Sequence, residues 1–345
     1  MQFIKPDINI DFVGKRLIAF SVSLTMILIS IASLVIHKGP KYGIDFAGGT
    51  LIQVKFSQPV SVKKIKSGLS AIDLESSAVQ GFGQKSEDEY LIRLNKSGVS
   101  SEGFSNKVQD ALKTSTGVND TVRRVEIVGP KVGKDLRGKA LFAMFYALLF
   151  IAIYISGRFE LKWALSGIMA GVLMGAVYLL SIFDVSIPFL IVTALVVTLV
   201  LFWVLNLKYA MGAIVALIHD VTITVGLFSI FNKEFTLPVI AALLTIIGYS
   251  LNDTIIVFDR IRENLRKYKK SSLDVIINRS VNETLSRTLL TSGTTLVVVL
   301  ALFVLGGGII HDFAFAMLVG IVVGTYSSIY VASPILLAWR TYGKK

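Results

Sequence analysis

The sequence predicts a polytopic α-helical membrane protein that carries one small α+β domain outside the membrane. Hydrophobic residues make up 53% of the 345 residues, and the mean hydropathy is +0.69. Charged residues make up only 17%, whereas a soluble domain carries about 25%. Polar residues are concentrated in one long segment, 40–138, between the first two apolar stretches.

Eight apolar stretches predict membrane-spanning helices, each of which needs about 20 mostly apolar residues. They lie at approximately residues 16–36, 140–157, 162–182, 187–206, 209–231, 236–258, 285–306 and 310–338. The first stretch has basic flanking residues but no small-residue cleavage site before His37, which favours a retained anchor over a signal peptide. The predicted organisation is an N-terminal segment with the first helix (1–39), an extracytoplasmic domain (40–138) and a bundle of about seven further helices (139–345).

The distribution of basic residues predicts the orientation of these helices. Alternate loops hold Lys5, Lys15, Arg16, Arg158, Lys162, Lys208, Arg340 and the run "RIRENLRKYKK" at 260–270. The intervening loops "SIFDVSIP", "FNKEF" and "GGGIIHD" contain Lys233 as their only basic residue. The positive-inside rule then places both termini in the cytoplasm and residues 40–138 outside. The net charge of +12 is therefore partly a topology signal, and no nucleic-acid partner is expected.

The polar segment reads as alternating strands and amphipathic helices. The successive pieces are "TLIQVKF", "SVKKIKSGLSAI", "SSAVQGFG", "EYLIRLN", "SEGFSNKVQDALKTS" and "TVRRVEIVG". Their order, β-α-β-β-α-β, is the split βαβ or ferredoxin-like pattern. The segment has no histidine and its carboxylates are scattered, so we expect a binding or lever role rather than catalysis.

Asp253 is the principal candidate site residue, because it lies inside an apolar stretch within "GYSLNDTIIVFDR" (248–260). An ionisable group in a membrane span costs roughly 2.5 kcal/mol or more and is usually paired and often functional. Asp253 is either a working ionisable group or part of a static polar clamp with Asn252 and Thr254. Arg287, near the start of the next stretch, is predicted at a similar depth, as a relay partner or as an ordinary interfacial anchor.

His219 and Asp220 form a second candidate pair. Both fall at the middle of their apolar stretch, the costliest depth for an ionisable residue. Histidine titrates near neutral pH, which suits a proton path, but a hydrogen-bonded structural pair explains the residues equally well. No further histidine or carboxylate lies at metal-ligand spacing and the chain has no cysteine, so no metal site is expected.

Two further predictions concern the ends of the spans. Asp259 and Arg260 are expected to pair with each other at the cytoplasmic end of their helix. Asp45, Gly48 and Gly49 are expected to form a tight turn where the first span meets the external domain, because glycine adopts backbone conformations that other residues avoid.

An internal repeat lies between two of the predicted spans. "ELKWALSGIMA" from Glu160 matches "NLKYAMGAIVA" from Asn206, at an offset of 46 residues. Either similar loop-to-helix junctions converged, or a pair of helices was duplicated. An even number of added spans would leave the orientation of the downstream helices unchanged.

Four motifs together resemble the SecF family, the smaller membrane subunits of the bacterial SecD–SecF accessory complex within the RND superfamily. They are "YGIDFAGGT" (42–50), "IVGPKVGKDL" (127–136), "ALIHDV" (216–221) and "IAALLTIIGYSLNDTIIVFDRIREN" (240–264). The resemblance implies an RND-type helical bundle in the bacterial inner membrane. Members of this family usually have six spans, so the resemblance also implies an inserted helical pair near 160–207. If no pair is inserted, two of the predicted spans are re-entrant or partly buried segments.

The resemblance further implies a function in the late steps of protein secretion. SecD and SecF would use the proton-motive force to draw an unfolded polypeptide out of the SecYEG channel, with no cofactor. Asp253 and Arg287 match the family's proton relay, and SecD would supply another carboxylate. YajC and the membrane insertase are further candidate partners, and sodium is an alternative coupling ion.

Three functions are alternatives to a role in protein export. An RND-type exporter of small molecules or lipids would share the architecture, but RND exporters typically carry two membrane halves in one long chain, so this chain would be a half-size exporter. A purely structural subunit of the translocase would need no ionisable residue within the membrane, and Asp253 weighs against it. An enzyme is not expected, because the sequence shows no nucleophile–base pair or metal cluster.

Overall fold

The computed structural model describes residues 8–74, 77–82, 88–94, 101–182 and 186–342. Their helices are α1 (Arg16–Ile36), α2 (Ile44–Ala47), α3 (Val62–Ser70), α4 (Ser101–Thr116), α5 (Pro130–Ile155), α6 (Trp163–Ser181), α7 (Ile187–Val204), α8 (Lys208–Ile230), α9 (Leu237–Lys267), α10 (Leu273–Leu305), α11 (Gly308–Ser327) and α12 (Ser333–Tyr342). The strands are β1 (Gly49–Phe56), β2 (Ala78–Phe82), β3 (Glu89–Leu94) and β4 (Asp120–Val128). π-Helical turns follow α5 (Ser156–Glu160) and join α11 to α12 (Ser328–Ala332). The predicted cytoplasmic residue Lys5 and the centre of the "SIFDVSIP" loop lie outside the described residues.

The small domain is a four-stranded antiparallel sheet with two helices on one face. The strand order is β2-β3-β1-β4. Alternate residues of the strands, such as Ile52 and Ile92, pack against Ile65 and Leu69 of α3 and Val108 of α4. The predicted β-α-β-β-α-β order is thereby confirmed, because strict alternation on the strands and helical spacing on α3 and α4 both serve one core.

Seven helices of the described chain are long and apolar enough to cross a membrane. They are α1, α5 with its π-helical turn, α6, α8, α9, α10 and the continuous helix from Ile310 to Trp339. The remaining predicted span, 187–206, corresponds to α7, whose apolar part, Pro188–Val204, is shorter than the other seven helices. A multi-pass helical membrane protein with one small α+β domain is therefore the observed fold class.

Close helix contacts hold the centre of the bundle together. The most extensive helix contacts join α9 to α11, α1 to α8, and α10 to α11. Glycines permit these approaches: Gly320 lies against Ile246, and Gly226 lies against Ser30. Small residues at helix interfaces let backbones come close, which is the main source of attraction between helices in lipid.

The helices α6 and α7 lie at the edge of the bundle. They contact each other, and they reach the remaining spans mainly through α5 and α8. Large apolar side chains on the outer faces of α6 and α7, such as Ile168 and Val192, are exposed. An apolar surface of this extent marks a region that faces lipid or another membrane protein. The predicted inserted pair, near 160–207, thus corresponds to helices outside the central packing.

The basic ends of α9 and α10 extend beyond the predicted spans. Asp259 pairs with Arg158 at 2.7 Å, while Arg260 pairs with Glu263 at 3.0 Å and with Glu283 at 3.7 Å. The prediction that Asp259 and Arg260 pair with each other is therefore wrong. Consecutive residues on a helix point in different directions, so each reaches a different neighbour.

Candidate functional site

Asp253 lies on α9, at the interface with α10 and α11. Its side chain is buried, with 2% of the residue exposed. The hydroxyl of Ser292 on α10 donates to Asp253 Oδ2 at 3.2 Å, and the hydroxyl of Thr325 on α11 donates to Ser292 Oγ at 2.8 Å. No ion pair forms at Asp253 within the part of the chain that the structure describes. Asp253 is therefore a buried carboxyl group solvated by hydroxyls.

Arg287 does not contact Asp253. It precedes Ser292 by five residues on α10, about 7.5 Å along the axis toward the basic helix end. Its side chain is exposed. Asp253 and Arg287 therefore do not form an ion pair in this structure.

The predicted polar clamp around Asp253 does not form. The side chain of Asn252 is exposed, whereas Asp253 is buried, and the hydroxyl of Thr254 donates to the carbonyl of Ser250 at 3.3 Å. Neighbours in sequence on a helix cannot converge on one carboxylate, and the partner comes instead from α10. Ser292 was not among the predicted site residues, although it follows Arg287 by only five residues in the sequence.

His219 and Asp220 form a completely enclosed polar cluster. The imidazole of His219 and the carboxyl group of Asp220 form a hydrogen bond, with 2.8 Å between Nδ1 and Oδ1. Asp220 Oδ2 accepts hydrogen bonds from Ser250 of α9 at 2.5 Å and from Ser327 of α11 at 2.8 Å. His219 Nε2 lies 3.1 Å from the hydroxyl of Ser23 on α1. Both carboxyl oxygens have hydrogen-bond partners, as buried polar atoms require.

The Asp253 and Asp220 clusters share two helices. Ser250, which donates to Asp220, precedes Asp253 on α9 by three residues, or just under one turn. Thr325 and Ser327 of α11 serve the Asp253 and Asp220 clusters respectively. A movement of α11 relative to α9 would therefore change the hydrogen bonding of both carboxyl groups.

Asp45 caps the helix that carries Asp253. Its Oδ2 atom accepts a hydrogen bond from the backbone N–H of Leu237, the first residue of α9, at 2.8 Å. A carboxylate at this position satisfies a free N–H group and complements the helix dipole. Gly48 and Gly49, with φ angles of 76° and 125°, turn the chain from α2 into β1. A Cβ atom on Gly48 would lie 2.8 Å from Cα of Pro130, so the backbone of α5 leaves no room for a side chain.

The small domain is joined to the membrane bundle by backbone and ionic contacts. The N–H of Gly43 donates to the carbonyl of Phe235 at 2.7 Å, and the N–H of Phe235 donates to the carbonyl of Lys41 at 2.8 Å. Glu234 beside them pairs with Arg93 of β3 and, at 3.4 Å, with Lys41. Partial burial, together with the charge of Arg93, lowers the pKa of Lys41 below its ordinary value. These contacts link the domain to the loop that leads directly into α9.

A metal ion would need several ligand side chains close together in the described part of the chain. That part of the chain contains no group of three or more histidine, cysteine, aspartate or glutamate side chains placed to hold a metal ion. The buried carboxyl groups are surrounded by hydroxyls and one imidazole instead. The fold and the site thus define a multi-pass membrane protein with ionisable groups enclosed among its helices.

Comparisons with known proteins agree with this class. The family model "Protein export membrane protein SecD/SecF, C-terminal" matches residues 107–195 and 181–342, and the SecD/SecF GG motif matches residues 33–60. The SecF protein translocase subunit of Magnetococcus marinus is 44% identical, with 98% of this chain and 94% of the relative covered. The corresponding subunit of Vibrio alginolyticus is 42% identical, with 97% and 91% covered.

A solved structure shows the same architecture. The crystal structure of SecDF, a translocon-associated membrane protein from Thermus, matches with a TM-score of 0.76 and 31% identity. The match covers 98% of this chain and 40% of that one, so this chain spans less than half the length of the solved protein. The chain therefore belongs to the SecD/SecF family of protein export membrane proteins, and within it to the SecF protein translocase subunits, which are transport proteins rather than enzymes.

Proposed function

We propose that this chain couples the proton-motive force to a late step of protein export, with Asp253 as its principal ionisable group. One observation carries the proposal: a carboxyl group buried in the membrane bundle has hydroxyl neighbours but no ion-pair partner among the described residues. Desolvation favours the neutral form of such a group, and an approaching positive charge favours the ionised form. A change in the distance to Arg287 would therefore drive proton release or uptake. The guanidinium itself keeps its proton and acts as the gate.

We propose that a SecD-type subunit covers the exposed side of this site. On α9, Ala241, Thr245, Gly248 and Asn252 follow one another at helical spacing and are all exposed. No heavy atom lies within 4 Å of the space that a side chain on Gly248 would fill. Small residues in this pattern suit close packing of another helix. The partner helix would bring a further carboxyl group close to Asp253 and Arg287.

The remaining parts of the proposal concern location and partners. We propose that the chain lies in the bacterial inner membrane with both termini in the cytoplasm, because basic residues such as Arg158, Lys162 and Lys208 fall in alternate short loops between the spans. The small domain would then act outside, on an unfolded polypeptide that leaves the SecYEG channel. YajC and the membrane insertase are proposed as neighbours, and sodium is the alternative coupling ion.

The test replaces Asp253 by asparagine in cells and follows secretion of a preprotein with the membrane potential intact and then collapsed. We expect secretion by Asp253→Asn to fall to the level of a strain that lacks this chain, with the variant still assembled with SecD. Asp259→Asn is the matched control, because the same change is made at an exposed ion pair on the same helix. Unchanged secretion and unchanged dependence on the proton-motive force in Asp253→Asn would refute the proposal.

A further inference from the structure

The segment that precedes α1 lies against the first turns of α10, which extend beyond the predicted span 285–306. Two asparagines of α10, Asn278 and Asn282, hold the main chain of this segment. They are four residues apart, so their side chains lie on the same face of the helix. Residues 10–13, which we call the strap, are therefore fastened to α10.

The hydrogen bonds of the strap involve its backbone. Asn278 Oδ1 accepts hydrogen bonds from the N–H groups of Phe12 at 2.8 Å and Val13 at 3.2 Å, and Asn282 Oδ1 accepts one from the N–H of Ile10 at 2.8 Å. The side-chain amides of Asn278 and Asn282 both donate to the carbonyl of Ile10, at 3.0 Å and 2.9 Å. Each asparagine is thus donor and acceptor at once, which an ionised carboxylate or an apolar side chain cannot be.

Apolar side chains also fix the strap in place. Phe12 and Val13 are buried and belong to the core of the bundle. The ring of Phe12 packs edge-on against Tyr330, in the π-helical turn between α11 and α12, with 5.8 Å between ring centroids. The N–H of Gly14 donates to Oδ1 of Asp11 at 2.7 Å and closes the turn into α1. The strap is therefore held through both its backbone and its side chains.

The strap joins two helices that have different neighbours. The main packing partner of α1 is α8, whereas α10 packs mainly against α9 and α11. Beyond α1 the chain leads to the junction with the small domain, where the N–H of Gly43 donates to the carbonyl of Phe235. Two residues near Asp253, Ser292 and Arg287, lie on α10. The strap thus connects the helix beside Asp253 to the helix that leads to the small domain.

The contacts of α1 along its length leave one side of the helix open. Toward α8, Ser23 Oγ lies 3.1 Å from His219 Nε2, and the hydroxyls of Ser33 and Ser229 lie 2.8 Å apart. Large apolar side chains on the opposite side, such as Phe20, are exposed. A helix packed on one side only can tilt with few close-packed interfaces to rearrange.

We propose that the strap transmits movement of α10 to α1 and, through α1, to the small domain. Movement of α10 relative to α9 changes the distance between Arg287 and Asp253, on which the proposed function depends. Because Asn278 and Asn282 bind the main chain next to α1, the first turn of α1 follows α10. α1 is a continuous helix of 21 residues, about 31 Å long, and carries the displacement across the bundle. The inference rests on the proposed function and assigns the transfer of motion to a part of the chain.

The experiment replaces the hydrogen bonds of the strap by a removable covalent bond. The chain has no cysteine, so two introduced cysteines can form only one intrachain disulfide. The strap variant combines Asn278→Ala and Asn282→Cys, which remove both clamping amides, with Ile10→Cys, at the residue whose backbone Asn282 binds. Full-length protein is reconstituted with its translocase partners in vesicles, and preprotein translocation is measured with and without a proton-motive force.

We expect the reduced strap variant to lose the part of translocation that depends on the proton-motive force, down to the level of Asp253→Asn. The part that proceeds without the proton-motive force should be unchanged, and oxidation to the disulfide should restore the lost part. Arg279→Ala is the matched control, because Arg279 lies next to Asn278 but pairs with Glu283 and not with the strap. This control should translocate as the unmodified chain does.

Four results would overturn the proposal. They are full dependence on the proton-motive force in the reduced strap variant, no recovery on oxidation, an equal loss of translocation with and without the proton-motive force, and failure of the disulfide to form. The last result would mean that the strap is not seated on α10. Asp253→Asn in the same vesicles judges the proposed function separately: a defect there without a defect in the strap variant refutes the strap alone.

Discussion

At the scale of single residues, a few buried polar side chains lack a hydrogen-bond partner among the described residues. Asp120 of β4 has a partly buried carboxylate with one oxygen that lacks a hydrogen bond among the described residues. Burial raises the pKa of Asp120 above its ordinary value of 3.8. A raised pKa in the folded state means that protonation favours folding. The free energy of unfolding therefore falls as the pH rises from 3.8 to the raised pKa, and it stays lower above that pKa.

Asp120→Asn should therefore raise the unfolding temperature of the full chain at neutral pH. The gain should shrink as the pH falls from the raised pKa towards 3.8 and should be absent below 3.8, where the carboxyl group is protonated in both states. Thermal unfolding of the detergent-purified protein across this pH range measures the effect. A stabilisation that is the same at acidic and neutral pH would show that the charge of Asp120 is not its cause.

Asp220 illustrates the opposite case, a buried carboxylate with a full set of partners. In Asp220→Asn an N–H₂ group replaces one carboxyl oxygen, so the side chain loses an acceptor for His219 or for the hydroxyls of Ser250 and Ser327. Leaving buried donors unpaired costs about 1–3 kcal/mol.

Thermal unfolding of Asp220→Asn should show this loss, whereas Asp259→Asn, at an exposed ion pair, should cost no more than about 1 kcal/mol. Equal losses in the two variants would mean that the Asp220 cluster contributes little to stability. A hydrogen-bonded structural role would then be excluded, and the cluster would be of interest only for the movement of protons.

At the scale of helices, packing at glycine positions fixes how α9 and α11 approach each other. A Cβ atom on Gly320 would overlap the side chain of Ile246, whereas nothing lies within 4 Å of a Cβ atom on Gly293 of α10. Gly320→Ala should lower stability by about 1–3 kcal/mol through overpacking. Gly293→Ala should be neutral or stabilising by up to about 1 kcal/mol, because alanine favours helix.

Unfolding in detergent distinguishes these two identical substitutions. If Gly320→Ala also changes secretion while the protein remains folded, the α9–α11 contact affects the Asp253 and Asp220 clusters, which both helices share. The idea of a tight contact at Gly320 fails if the two variants behave alike.

The repeat near 160–207 concerns whole helices, because this region contains α6 and α7. The two matches of the family model, to 107–195 and to 181–342, overlap at 181–195. This overlap lies within the predicted inserted pair, and duplication stays a prediction beside convergence at loop junctions. The helices α6 and α7 lie at the edge, and an added pair can be accepted there without disturbing the central packing.

At the scale of the whole molecule, the junction between the small domain and the bundle depends on Glu234. Glu234→Gln should loosen the junction by about 1–3 kcal/mol, because it leaves the half-buried Arg93 without its charged partner. Hydrogen exchange at the backbone N–H groups of Gly43 and Phe235 measures the opening directly.

The matched control is Glu126→Gln, which removes a carboxylate from the same sheet face at a more exposed ion pair. It should leave exchange at Gly43 and Phe235 unchanged. The charge reversal Arg93→Glu combined with Glu234→Arg should restore part of the protection. Protection that is insensitive to all of these changes would assign the junction to its backbone hydrogen bonds alone.

The regular elements could be predicted because their patterns are local. The strand TLIQVKF and the helix with Phe104, Val108 and Leu112 have their predicted places, since alternation and helical spacing depend only on which face is buried. The ends of α9 and α10 could not be placed from apolar length, because their charged extensions are stabilised by ion pairs outside the apolar stretch, such as Arg279 with Glu283.

The sequence by itself determined the class of this protein, its small domain and the residues whose burial demands an explanation. Apolar length, charge and periodicity are properties of short segments, so they can be read without a fold. The tertiary structure alone decided the partners: Ser292 rather than Asn252 for Asp253, Ser250 and Ser327 for Asp220, and Leu237 for Asp45. These contacts join residues on different helices, and only the packing of the bundle determines which side chains meet.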